Sequence, residues 1–169
     1  MAKGMVALAL AFLLADPQTL VGKVVSVHDG DTITVVDGEK RQHKIRLASI
    51  DAPELGQPFG RRAKEALGEL VAGASVEIRW SHKDRYGRIL GDVYLGKLWV
   101  NRELLEAGMA WHYRQFSRSK ELQGAEDQAR EKRVGLWTDR DPAPPWEWRK
   151  NRRGRSTRGR PRNGAGRSA

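Results

Sequence analysis

A small, mainly β barrel of the α+β class is predicted, with one helix inserted between its third and fourth strands and further helices after the fifth. Three observations carry this. Residues 20–47 hold three short runs of alternating apolar residues separated by Asp-Gly pairs, the pattern of a three-stranded meander. Residues 60–72 then switch to helical spacing. Alternation returns at 75–80 and 89–95 before helical patterns close the chain.

The first strand is Leu20 to Val27, with Val25 and Val27 two apart. His28-Asp29-Gly30-Asp31 turns the chain into Thr32–Val36, which is rich in β-branched residues. Asp37-Gly38 is a second turn. The stretch Lys44 to Glu54 (K-I-R-L-A-S-I-D-A-P-E) follows and alternates from Ile45 onward. Pro53 cannot donate to a ladder and biases Ala52 to extended geometry, so this strand is predicted to end near Asp51.

Gly60 to Ala72 places Ala63, Ala66, Leu67, Leu70 and Val71 on one face, and Gly73 suits the position after a helix. Val76, Ile78 and Trp80 mark the fourth strand, and Ile89 to Leu95 the fifth. The turn between them is Asp84-Arg85-Tyr86-Gly87-Arg88. Asn101 is predicted to cap a short helix over Arg102–Ala107, and Ser119–Arg133 forms a charged helix stopped by Gly135. Asp141 to Trp148 is expected to be an extended closing segment. Arg149 to Ala169 has no apolar periodicity and is expected to be disordered. This layout is that of an OB-fold barrel, an architecture that commonly binds oligonucleotides.

Among 169 residues, 31 are basic and 21 acidic, a formal charge of +10. Nine of the basic residues and none of the acidic ones lie from Arg149 onward, so residues 1–148 are nearly neutral. Attraction to polyanions is thus mainly a property of the tail. There is no cysteine, which excludes disulfides, zinc-thiolate sites and cysteine nucleophiles. Met5 to Ala15 is apolar but shorter than the roughly 20 residues a membrane span needs. It fits the core of a secretory signal over residues 1–15, so a secreted or periplasmic location is expected, with the domain over 20–148 and the tail over 149–169.

Charged residues gather where the strands turn. Antiparallel pairing through Asp37-Gly38 brings the start of strand two beside the end of strand three, and therefore Asp31 near Asp51. Two close carboxylates repel unless a cation lies between them, and a calcium-type ion is one physical solution. Glu54 follows at the strand exit. Arg46 lies within strand three and Arg88 leads into strand five. Taken alone, each feature reads as a turn or a surface ion pair, and only the combination points to chemistry. The four histidines show no metal-ligand spacing.

In combination, D-G-D-T, I-R-L-A-S-I-D-A-P-E and D-R-Y-G-R, ordered around an inserted helix, resemble the staphylococcal nuclease or thermonuclease-like family over roughly Leu20 to Trp137. The resemblance implies that Asp31, Asp51 and the backbone carbonyl of Ala52 hold Ca2+. It implies Glu54 as general base and Arg46 and Arg88 as the arginines on the scissile phosphate. Arg85 and Tyr86 match a pair contacting a neighbouring phosphate, and Tyr113 a tyrosine that stacks on a base. Ala52 stands where the best-known member has threonine, which removes a hydroxyl but not the carbonyl. The expected activity is calcium-dependent hydrolysis of DNA and RNA, preferably single-stranded, by a monomer that leaves 3′-phosphates. The alternative is a catalytically inactive OB-fold binding module. Such a copy is expected to have lost some of Asp31, Arg46, Asp51, Glu54 or Arg88, and all five are present.

Overall fold

The computed structural model describes residues 18–158. The expected signal segment, residues 1–15, and the tail beyond 158 lie outside the described residues. Strands β1 (Gln18–Val27), β2 (Thr32–Asp37) and β3 (Gln42–Leu47) form the meander. After a two-residue strand β4 (Ile50–Asp51) and helix α1 (Gly60–Val71) come β5 (Ser75–Lys83) and β6 (Ile89–Leu95). The order β3-β2-β1-β5-β6 closes on itself because β3 and β6 pair in parallel, making a five-stranded mixed barrel. β7 (Leu98–Trp99) extends the β6 edge. Helix α2 (Val100–Glu106), strand β8 (Trp111–His112), helix α3 (Lys120–Glu131), a 3-10 turn (Gly135–Thr138) and helix α4 (Pro145–Arg158) complete the described chain.

The barrel interior is filled by Ile33, Val35, Ile45, Leu47, Ile78 and Val93, all essentially inaccessible. Leu67 of α1 and Leu104 and Leu105 of α2 belong to the same core. A second, smaller core joins Trp111, Ala129, Leu136 and Trp137, with Trp146 of α4 packed against it. The Arg130 guanidinium lies 3.9 Å from the Trp137 ring centroid, which covers one edge of this aromatic layer with a cation.

Three local expectations differ from the structure. The third strand does not run unbroken to Asp51: Ser49 has a φ of +64°, and the chain kinks there. Asn101 accounts for the kink. Its side chain donates to the Ala48 carbonyl at 2.9 Å and accepts from the Val93 amide at 2.9 Å. Asn101 is therefore a buried link inside α2, and Trp99, not Asn101, occupies the N-cap position. The turn expected at Asp37-Gly38 is present, with Lys40 (φ +62°) as its left-handed residue and the Asp37 side chain accepting from the Glu39 and Arg41 amides. Last, Pro145–Arg158 is helical, where an extended segment and a tail starting at 149 were expected. Its weak amphipathicity hides it in the sequence. Trp146 is the residue that docks it, stacked on Tyr113 at 5.2 Å with an interplanar angle of 1°.

Candidate active site

The kink at Ser49 is what turns Asp51 inward. Past it, Ile50 and Asp51 pair with His112 and Trp111 of β8, and Asp51 becomes fully buried. In the meander register, Arg46 sits opposite Thr32, one residue after Asp31. The Arg46 guanidinium spans the gap: Nη1 lies 2.7 Å from Asp31 Oδ2, and Nη2 donates to Asp51 Oδ1 at 2.7 Å. Asp31 Oδ2 also accepts from the Ala52 amide at 2.7 Å, and Oδ1 from the Thr32 hydroxyl at 3.1 Å. The two carboxylates expected to meet are brought to one guanidinium, but Asp51 arrives past the kink on β4, paired with β8, and not by pairing with β2. The cation between them is Arg46.

Burial pushes the Asp31 carboxyl up to about 7, against the pull of Arg46 and with Asp29 adding repulsion. Burial thus favours the neutral form of Asp31 more than Arg46 favours its ionised form.

Glu54 hangs from the loop between β4 and α1. This loop is tied down by Gln57, whose amide donates to the Glu54 carbonyl at 2.8 Å and whose side chain accepts from the Glu54 amide at 3.2 Å. The Gln57 side chain also donates to the Ala143 carbonyl at 2.6 Å, fastening the loop to the approach of α4. Gly60 is required here for close approach, since a Cβ on it would overlap the Glu54 carbonyl. Gly60→Ala is expected to shift the Glu54 backbone and to lower both stability, by about 1–3 kcal/mol, and activity. Urea denaturation alongside initial rates checks this. A variant as stable and as active as the parent would show that the Glu54 loop tolerates displacement.

A residue not anticipated as part of the site completes it. Arg149 of α4 donates through Nη1 to Glu54 Oε1 at 2.7 Å and through Nη2 to Asp51 Oδ2 at 2.7 Å. Burial works against the Arg149 charge, but its hydrogen bonds to Asp51 and Glu54 outweigh that and raise its pKa. Asp51 is thus gripped from two sides, by Arg46 on one oxygen and by Arg149 on both. The clue in the sequence is the P-P-W-E-W-R stretch, whose tryptophans can pack a segment back onto the core and carry the following arginine with them.

Arg88 is not in this cluster. Its Nε and Nη2 both lie 2.7 Å from Asp84 Oδ2, within the β5–β6 turn. Burial works against the Asp84 charge, yet the Arg88 side chain and the Arg88 and Tyr86 amides hold its pKa below the usual range. Tyr86 is exposed at the same turn, with the guanidinium of Arg85 4.9 Å and that of Arg88 5.6 Å from its ring centroid. All of these groups line one cleft of about 930 Å3, which runs from Asp31, Asp51 and Glu54 past Tyr113 and Arg149 to Arg88. Tyr113 lies in its wall, with one face stacked on Trp146 and Phe116 against its edge. A second concavity, of about 880 Å3 between β1 and α1, is mostly apolar and gathers no paired carboxylates.

Buried aspartates and a carbonyl-bearing strand exit are hard oxygen donors of the kind a calcium-type ion takes. As they stand, the carboxylates are satisfied by guanidinium groups, and among the described residues no three acidic or histidine side chains form a preformed metal cage. The donor chemistry fits a divalent cation. Occupancy requires at least one arginine to move.

A family model described as "Staphylococcal nuclease homologue" matches residues 44–139. An "Uncharacterized endonuclease" of Escherichia coli is 46% identical over 129 residues, covering 76% of this chain and 84% of that protein. A protein of the same description from Haemophilus influenzae is 41% identical over 128 residues, 76% of this chain and 72% of its own length. The "Staphylococcal-like nuclease CAN1" of Arabidopsis thaliana is 43% identical over 114 residues, 68% of this chain but 35% of that larger protein. The matched family segment contains Arg46, Asp51, Glu54 and Arg88 and stops short of Arg149.

Proposed function

Given that the chain belongs to the staphylococcal nuclease homologue family and is a nuclease, we propose that it is a calcium-dependent phosphodiesterase acting on DNA and RNA, preferably single-stranded, at the Asp31–Asp51–Glu54 cleft. The observation that supports this most is the convergence of two buried aspartates, a loop-borne glutamate and Arg46 in one cleft, with Arg88 on its rim.

Phosphodiester hydrolysis needs a water in line with the leaving oxygen, a base for its proton, and positive charge on the phosphorane as it forms. Glu54 is the base in this reading. It is the most accessible of the three carboxylates, with 40% of its side chain exposed, so water reaches it. Arg46 and Arg88 present the forked geometry that grips phosphate oxygens and are assigned the developing charge. Asp31, Asp51 and the Ala52 carbonyl are assigned the calcium ion, which when bound supplies Lewis-acid charge to the phosphate. Water attack with departure of the 5′ oxygen leaves the phosphate on the 3′ side. Arg85 and the exposed Tyr86 ring supply a neighbouring phosphate contact and a stacking face, the pairing that suits a flexible single strand. Tyr113 offers a base only the surface that Trp146 and Phe116 leave open.

The test is digestion of single-stranded DNA by the parent chain and by Glu54→Ala, each with calcium and with chelator. Cleavage that requires calcium and falls by about 10²–10⁴ in the variant is the expected result. Tight binding without cleavage under any divalent ion would leave an OB-fold binding module instead. Among the described residues no helix is long and apolar enough to cross a membrane. Export directed by residues 1–15 and a monomeric state are further parts of this proposal, checked by N-terminal sequencing of the mature protein and by its sedimentation.

A further inference from the structure

Arg149 has no role in the reaction just described, yet its guanidinium hydrogen-bonds two of the cleft's carboxylates. Its guanidinium bridges Asp51 and Glu54, residues 98 and 95 positions away. These are a metal ligand and the base under the nuclease reading, on which this inference rests. Ionised, Asp31, Asp51 and Glu54 carry three negative charges, and Arg46 and Arg149 return two positive ones. Arg46 is tucked into the barrel, with 14% of its side chain exposed. Arg149 is 35% exposed and borne on a surface helix, so it is the guanidinium with a path out to solvent.

We propose that Arg149 is a built-in counter-cation that competes with the divalent ion for Asp51 while also holding the base Glu54, so that the docking of α4 sets the metal affinity of the site. The physical argument is one of shared donors. Both oxygens of Asp51 accept from Arg149. An ion that takes this carboxylate must strip those bonds and tolerate, or expel, a neighbouring positive charge. The lost arginine contacts are charged against the metal's affinity. Neutralising the pocket in the meantime spares the metal-free protein the repulsion of carboxylates packed together. Once displaced, the guanidinium stays tethered to a helix lining the same cleft.

Placement of Arg149 depends on a few anchors. Trp146 stacks on Tyr113 and meets the Trp111 ring at 5.7 Å, and Gln57 holds the Ala143 carbonyl just ahead of the helix. The guanidinium is therefore presented by packing, not by a free tail.

The test uses the full chain and calcium chloride. Isothermal titration compares the parent with Arg149→Gln, which keeps hydrogen-bond donors but loses the charge, and with Arg149→Lys, which keeps the charge. The Gln variant is expected to bind calcium on the order of tenfold more tightly, and the Lys variant close to the parent. In chelator, the Gln variant is expected to melt several degrees below the parent, with calcium closing the gap. Calcium binding by the parent that Gln leaves unchanged or weakens would overturn the proposal. So would equal losses of melting temperature in both variants with and without calcium, because that is the signature of an arginine that only holds α4. Failure of all three proteins to bind calcium would instead overturn the metal reading of the cleft itself.

Discussion

Arg46→Met is expected to reduce cleavage by about 10³-fold or more and to destabilise the protein in chelator by about 3 kcal/mol. Both effects come from one position. Arg46 is the cation between two buried aspartates, at 2.7 Å from each. Removing it leaves Asp31 with the Ala52 amide and the Thr32 hydroxyl as partners, and Asp51 with Arg149. These remaining partners, and the ease with which Asp31 takes a proton, keep the loss toward the low end of what breaking a buried pair costs. Arg46→Lys separates the two effects. A lysine retains the charge, so most of the stability is expected to return. It cannot span both aspartates or hold two phosphate oxygens in a fork, so activity is expected to stay about 10²-fold down. Urea denaturation in chelator and initial rates on single-stranded DNA give the two readouts. Full activity in the Lys variant would remove the forked phosphate grip from the mechanism.

Arg88→Lys is expected to lower kcat by about 10²–10³-fold with little change in KM, because its contact is assigned to charge that exists only in the transition state. The structure explains why stability is expected to change by less than about 1 kcal/mol: the Arg88 pair with Asp84 lies in a partly exposed turn, where ion pairs contribute little. Arg88 is paired with Asp84 at the rim of the same cleft that Glu54 lines. A rise in KM at constant kcat would reassign Arg88 to ground-state binding of the nucleic acid.

Much of this molecule is local in origin and could be read without coordinates. Alternating β-branched residues place β2. The helical face of Ala63, Leu67 and Val71 places α1, and those three are fully buried. Ser119 caps α3 by accepting from the Leu122 amide, a contact only three residues long. The β2–β3 register that sets Arg46 beside Asp31 also follows from sequence, because a tight turn fixes which residues face each other, whereas the final approach of Asp51 depends on the kink at Ser49.

What escaped the sequence has long-range causes. The break at Ser49 is set by Asn101, 53 residues beyond the Ala48 carbonyl that it holds. The local pattern through Ile45 and Leu47 contains no trace of that bond. Helix α4 has almost no periodicity of its own and forms where Trp146 finds Tyr113 and Trp111. Arg149 then reaches carboxylates nearly a hundred residues away, and a basic residue in a basic stretch carries no mark of such a partner. The barrel, its inserted helix, the family and the set of acidic and arginine residues are legible along the chain, because strand alternation, turn chemistry and short motifs act over a few residues. Which cation sits on which carboxylate emerges in three dimensions alone, because it depends on packing between segments whose separation along the chain says nothing about their distance in space.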